Sequence, residues 1–252
     1  VAAYGKRPVE RTMKAEVLLN AMKDGQAALI KAGTIELKLT PKASEYTPIY
    51  YLVGALQGWS DQAKTCMFYP QSQTVQTYTT QWTGDGNLKI WDENNFSKWD
   101  NCIGAATDGD NAASGKLVTS NAGAIVCPEK GAFYTLKVDF ETMSYTWTKL
   151  ENQTPKEFEK IGLIGGFNEW GGDEELTATA PHNWTAEVTF AADTELKFRA
   201  NGGWDDNWGA GVNIAEKYYG TGTNGGDNIK VPAGKYNVFF NDITGEFVFA
   251  AK

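Results

Sequence analysis

This chain repeats itself, and the repeat limits its architecture more than any other feature. The segment 51-YLVGALQGW-59 matches 162-GLIGGFNEW-170, pairing Leu52 with Leu163, Val53 with Ile164, Gly54 with Gly165 and Trp59 with Trp170. Further on, 88-LKIWDENNF-96 matches 196-LKFRANGGW-204, and 131-GAFYTLKVDFETMSYTW-147 parallels 234-GKYNVFFNDITGEFVF-249. Self-similarity at this period means one scaffold used twice, with loops of different length absorbing the drift between matches. Each copy spans about 100 residues of short alternating strands punctuated by Gly, Asn and Asp. The expectation is an all-β protein of two tandem β-sandwiches. Their predicted bounds are 49–150 and 158–252, joined through 151-ENQTPKEFEK-160. A linker this short restricts the modules to a limited range of orientations.

Residues 1–48 differ from the rest. They carry eight Lys and Arg against five Asp and Glu, a net +3, whereas the remaining 15 basic and 26 acidic residues leave −11. The apolar residues of 12–33 (Val17, Leu18, Ala21, Met22, Leu29 and Ile30) fall at helix-like spacing with Gly33 as a stop, and 34–40 alternates as a strand. A helix and one strand are too little for a domain, so 1–48 is expected to be the C-terminal part of a preceding domain, ending in a linker over 41–48.

Composition narrows the chemistry. The net charge of −8 disfavours a phosphate-backbone partner, so nucleic acid is not an expected ligand. A single His, His182, argues against a histidine metal site or relay, and Cys66, Cys102 and Cys127 lack the spacing of zinc or redox motifs. Cys102 and Cys127 are compatible with a disulfide or with buried thiols. The segment 108-DGDNAASG-115 has a calcium-loop flavour without the distal Glu. Carboxylate groupings such as Asp173, Glu174 and Glu175, or Asp205 and Asp206, are what hydrolysis would need, but adjacent carboxylates on loops are usually just solvated, and neither copy reproduces the other's. No catalytic residue, metal or cofactor is assigned.

The positive signal is aromatic: nine Trp, eleven Tyr and twelve Phe, with every Trp beyond residue 50. Flat apolar rings suit the C–H faces of pyranoses, and Arg, Lys and Asn suit their hydroxyls. In the second copy Trp170, Trp204 and Trp208 gather in two loops that follow equivalent strands, either lining one edge or serving as lids over a small core. Strand parity sets Leu196, Phe198 and Ala200 on one face and Lys197 and Arg199 on the other. In the first copy Trp59 and Phe96 occupy the positions of Trp170 and Trp204, and Trp99 falls one residue short of Trp208. Lys89 and Trp91 share the outward face there, Trp91 standing where Arg199 stands. An outward Trp91 is either a stacking platform or a residue covered by a neighbouring module or the preceding domain.

The strings 163-LIGGFNEW-170, 196-LKFRANGGWDDNWG-209 and 226-GDNIKVPAGKY-236 resemble the SusE/SusF-type starch-binding lipoproteins of Bacteroidetes outer membranes. The resemblance implies immunoglobulin-like β-sandwich carbohydrate-binding modules behind an immunoglobulin-like N-terminal domain, and a surface-exposed, lipid-anchored outer-membrane location. It implies non-catalytic binding of starch or maltooligosaccharides by an aromatic arc with Arg, Lys and Asn on the hydroxyls. Carried over, the second site is Trp170, Arg199, Trp204, Trp208, Asn168, Asn201 and Lys197, and the first is Trp59, Lys89, Trp91, Phe96 and Trp99. The first module departs from the pattern at Gln57 and Trp91. Implied partners are the glucan and other outer-membrane glycan-uptake proteins, with the membrane reached only through an anchor outside this sequence. The alternatives are another glycan in a related uptake system, a surface adhesion protein with its Trp residues at module interfaces, and an enzyme dependent on Asp205 or Glu174.

Overall fold

A computed structural model describes residues 11–39, 47–151 and 154–252, so most of the linker expected over 41–48 lies outside the described residues. The chain divides into two compact units, Val1–Tyr46 and Thr47–Lys252.

In the first unit the expected helix over 12–33 is instead a hairpin, Arg11–Lys23 paired antiparallel with Gln26–Leu39. Its turn is Asp24-Gly25, both at positive φ (54° and 76°), the two-residue geometry that matches strand twist. The helical spacing misleads because Met13, Ala15, Val17, Leu19 and Ala21 also alternate. The register steps from Val17 opposite Gly33 to Leu18 opposite Lys31, leaving Ala32 as an extra residue. One face is thereby apolar on both strands, with Ile35, Ile30 and Leu37 opposite that row. The other face carries Lys14–Glu36 and Lys31–Glu16 ion pairs.

The second unit holds two sandwiches. In the first, a three-stranded sheet (Tyr50–Gly54, Asn87–Asp92, Ile125–Val126) faces a six-stranded sheet built around Val75–Gln81, Phe133–Asp139 and Ser144–Lys149. Leu52, Leu88, Ile90 and Ile125 meet Tyr78, Leu136, Val138 and Trp147 between them. In the second, a sheet centred on Ile161–Gly165 and Thr194–Ala200 faces one containing Asn183–Phe190, Gly234–Asn241 and Glu246–Ala251. Phe198 stacks on Phe240 at 4.2 Å in that core. Parity holds: Leu196 and Phe198 are fully buried inward, and Lys197 and Arg199 lie on the opposite face.

The modules are not beads on a linker. Phe239, Val248, Ala250, Ala180 and Tyr219 of the second module belong to the same core cluster as Tyr51, Tyr69 and Tyr78 of the first. The sheet carrying Gly234–Asn241 and Glu246–Ala251 is therefore buried on both faces, which is why those strands read as near-continuous apolar runs. At roughly 1.5–3 kcal/mol per large apolar side chain removed from water, this shared face makes a substantial contribution to stability. Cys66, Cys102 and Cys127 are all buried free thiols, and burial pushes the Cys127 thiol up to about 11.

Candidate functional site

In each copy the first strand runs into a single tight turn, Ala55–Gln57 or Gly166–Asn168, and then spends two residues in the left-handed region. These are Gly58 and Trp59 (φ 62° and 59°) and Glu169 and Trp170 (54° and 56°). Such backbone costs of order 1–3 kcal/mol for a side-chain-bearing residue, so something must hold it. Gln57 and Asn168 do so identically. The Gly54 amide donates to Gln57 Oε1 (2.9 Å) and Gln57 Nε2 to the Leu52 carbonyl (2.8 Å). The Gly165 amide donates to Asn168 Oδ1 (2.9 Å) and Asn168 Nδ2 to the Leu163 carbonyl (3.2 Å). The departure at Gln57 thus preserves the turn, and Asn168 spends its amide on main chain.

The turn lifts Trp59 and Trp170 toward a second indole. Trp59 and Trp99 lie 6.2 Å apart at 37°; Trp170 and Trp204 lie 6.2 Å apart at 34°. Trp99, Trp170 and Trp204 are the exposed tryptophans, at 42%, 39% and 50%, and Trp59 is half-buried. Aligned by sequence, Phe96 falls on Trp204; in space Trp99 takes that place. Phe96 packs edge-on against Tyr51 and Trp91 beneath the pair.

What underlies each pair differs. Arg199 lies opposite Gly162 across the sheet, with its guanidinium 4.9 Å from the Trp204 ring and its Nε donating to Asp173 Oδ1 at 2.6 Å. A Cβ on Gly162 would sit 2.6 Å from Asp173 Cβ, so glycine there makes room for the carboxylate. Trp91 lies opposite Tyr51 and supports Trp99 edge-on at 4.6 Å. It is fully buried with Val53, Cys102 and Ala122, so it is not an open platform. The cover comes from its own module, whose loop returns to pair Ile103 with Ile90 and accepts the Trp91 Nε1 hydrogen bond on the Lys98 carbonyl (3.0 Å). Asp61 takes the Trp99 Nε1 hydrogen at 2.9 Å.

Other sequence-singled residues lie elsewhere or are occupied. Trp208 is opposite Phe198 and therefore faces the core side, packed edge-on against Phe158 and Phe240. It lines a separate groove of about 530 Å³ with Lys156, Asp206 and Asn224. Asn201 accepts the amides of Glu159 and Lys160, tying down the linker's end. Lys197 flanks Arg199 and donates to Asn207 Oδ1 (3.3 Å), and Lys89 holds the equivalent register position opposite Val53. Asp110 accepts from the Ala112 amide and Tyr145 hydroxyl, and Asp108 from the Ala124 amide, so both shape the 108–115 loop. Sequence reading took Asp173 only as part of a carboxylate grouping and passed over Asp61; the contrast of Gly162 with Tyr51 at matched positions is a signal that could have set Asp173 beside Arg199.

Residues 45–149 match the family model described as "SusF, first starch specific CBM". The match falls on the module whose sequence departs further from the expected motifs. Outer membrane protein SusF of Bacteroides thetaiotaomicron is 25% identical over 267 residues, covering 96% of this chain and 53% of that protein. The chain thus spans about half the length of the curated relative it matches. The crystal structure of SusF from the same organism aligns with all of this chain and 60% of its own, at 20% identity and a TM-score of 0.37. Residues 45–149 thus match the SusF first-module family, and the chain as a whole is similar to SusF.

Proposed function

We propose that this chain is a non-catalytic glycan-binding protein that captures starch or maltooligosaccharides on the Trp59/Trp99 and Trp170/Trp204 pairs. The observation that carries this reading is the recurrence of one tilted indole pair, at the same separation, in two modules whose loops differ in length and sequence. Core lids have no reason to keep both that geometry and their exposure. Two rings inclined to one another suit successive sugar units of a curved α-1,4-glucan, each stacking a C–H face. In the second module the bond from Arg199 Nε to Asp173 leaves the Nη edge as the fork for vicinal hydroxyls, with Lys197 alongside. The family description and the relative's name support starch as the sugar and the outer membrane as the location. A lipid anchor and neighbouring glycan-uptake proteins complete the proposal. Binding rather than turnover fits the carboxylates beside the pairs, since Asp61 and Asp173 are each engaged by a neighbouring side chain.

Calorimetric titration of the full chain with maltoheptaose, and with cellohexaose as linkage control, tests this. Saturable heat with maltoheptaose alone is expected, with one site remaining in Trp99→Ala or Trp204→Ala and none in the double variant. Undiminished binding by the double variant overturns the site, and equal binding of cellohexaose overturns the linkage.

A further inference from the structure

In both modules the loop leaving the first tryptophan of the pair sends back a carboxylate that fixes the second half of the platform. Asp61 stands two residues after Trp59 and holds the Trp99 indole directly, Oδ2 to Nε1 at 2.9 Å. Asp173 stands three residues after Trp170 and holds Arg199, Oδ1 to Nε at 2.6 Å, which in turn lies 4.9 Å from the Trp204 ring. The lever is the same and the group it grips is different. The sequence differs in step: Gly162 opens space for Asp173 opposite Arg199, while Tyr51 fills the matching position opposite Trp91.

We infer that Asp61 and Asp173 are positioning residues that set the tilt of each platform without touching sugar. We infer also that the two modules demand different chemistry of them: Asp61 serves as a neutral-compatible hydrogen-bond acceptor, Asp173 as the counter-charge of a nearly buried guanidinium. The inference rests on the Trp pairs being the glycan sites. Trp99 offers a neutral N–H, which an amide oxygen can accept in place of a carboxylate. Arg199 is cationic and both partners of its pair are largely enclosed, at 10% and 13% side-chain exposure. Replacing Asp173 by any neutral residue strands that charge, a larger penalty than losing a neutral hydrogen bond.

The test uses the full chain, with one module silenced by Trp204→Ala or Trp99→Ala and maltoheptaose titrated into the other. In the first module Asp61→Ala is expected to weaken binding about tenfold, and Asp61→Asn to restore it to within about twofold. In the second, Asp173→Ala and Asp173→Asn are both expected to weaken it tenfold or more, and Gly162→Ala, which crowds Asp173, to weaken it in the same direction. The nitrogen-bound indole proton of Trp99, followed by NMR, should lose protection from exchange in Asp61→Ala and regain it in Asp61→Asn, a readout that a general loss of stability would not restore. Wild-type affinity in Asp61→Ala, or in Asp173→Asn, overturns the inference while leaving the glycan reading intact. If silencing both tryptophans leaves binding unchanged, the glycan reading itself falls and this inference with it.

Discussion

Asn183, in the second module, donates its side-chain amide to the main-chain oxygen of Thr79 in the first at 2.9 Å, buried from water. Asn241 donates to the same carbonyl at 2.7 Å and to Asn183 Oδ1 at 3.0 Å, and the Tyr69 hydroxyl reaches Asn183 Oδ1 at 3.2 Å. Thr80 completes the seam by donating to the Pro181 carbonyl at 2.7 Å. Asn183→Ala leaves the Tyr69 hydroxyl and one donor of Asn241 short of partners in a dry seam. The expected cost is about 2–3 kcal/mol, read as a lower urea midpoint by Trp fluorescence. Because the seam is continuous with a shared apolar core, Thr47–Lys252 should unfold in one transition, and two resolved transitions would contradict the shared core.

Stability should fall as pH rises, for reasons seated in or beside this seam. Burial opposes a charged His182, but the Asp242 and Glu157 carboxylates, 2.6 and 3.2 Å from its ring nitrogens, outweigh it and raise the His182 pKa above 6.5. A raised pKa contributes stability that is complete below 6.5 and is lost as pH climbs through the folded value. Glu246 is a buried carboxyl at the module contact, taking hydrogen bonds from Gln71, Thr77 (2.7 Å) and Thr244 (2.7 Å). Burial dominates those bonds and raises its pKa above 4.5, so its contribution also declines with rising pH. Unfolding free energy measured from pH 5 to 9 should therefore slope downward. His182→Asn should flatten the fall that sets in above 6.5 and Glu246→Gln the fall that sets in above 4.5; a slope unchanged in both variants would reject the assignment.

The repeat, the strand parity of Leu196, Phe198, Lys197 and Arg199, and the positions of three of the four paired tryptophans beside their turns were legible because they follow from period-2 geometry and self-similarity. Three things were not. The Asp24-Gly25 turn went unread beneath a helix-like spacing that a bulged hairpin also satisfies. Trp99 was matched toward Trp208 because linear offset does not see how the 91–104 loop folds back to put Trp99 over Trp91. The second buried face of the sheet carrying Phe239 and Val248 was written in its unbroken apolar runs, but burial by a sister module and burial within one sandwich leave the same signature.

Asn168 tests whether the turn is mechanical. Its amide bridges the Gly165 amide and the Leu163 carbonyl, as Gln57 does in the first module, and a further bond reaches the Gly172 carbonyl. Asn168→Gln should therefore bind glucan in the second module almost normally, because the longer amide already performs this job at Gln57. Asn168→Ala removes the tie on two successive left-handed residues, Glu169 and Trp170, and should weaken binding about tenfold in calorimetric titration. If Asn168→Gln is as damaging as Asn168→Ala, the side chain is contacting ligand and not the turn.

Trp204 and Trp208 lie four residues apart and should separate binding from stability. Trp204 is half exposed, borne on a turn, and its ring touches Trp170 and the Arg199 guanidinium. Trp208 sits in the strand Asn207–Gly209 opposite Phe198, and its ring fills the gap between Phe158 and Phe240 at 5.6 and 5.1 Å. Removing an exposed ring costs little, within about 0.5 kcal/mol, whereas truncating a packed indole forfeits its contacts and leaves a void worth about 2–4 kcal/mol. Trp204→Ala should therefore keep the wild-type urea midpoint and lose glucan binding in the second module. Trp208→Ala should lower the midpoint and, under conditions where it is fully folded, bind maltoheptaose with nearly unchanged affinity. The reverse pattern, with Trp208→Ala stable and unable to bind, would move the platform from the loop to the groove beside Phe158, on the opposite face of the sheet from Arg199.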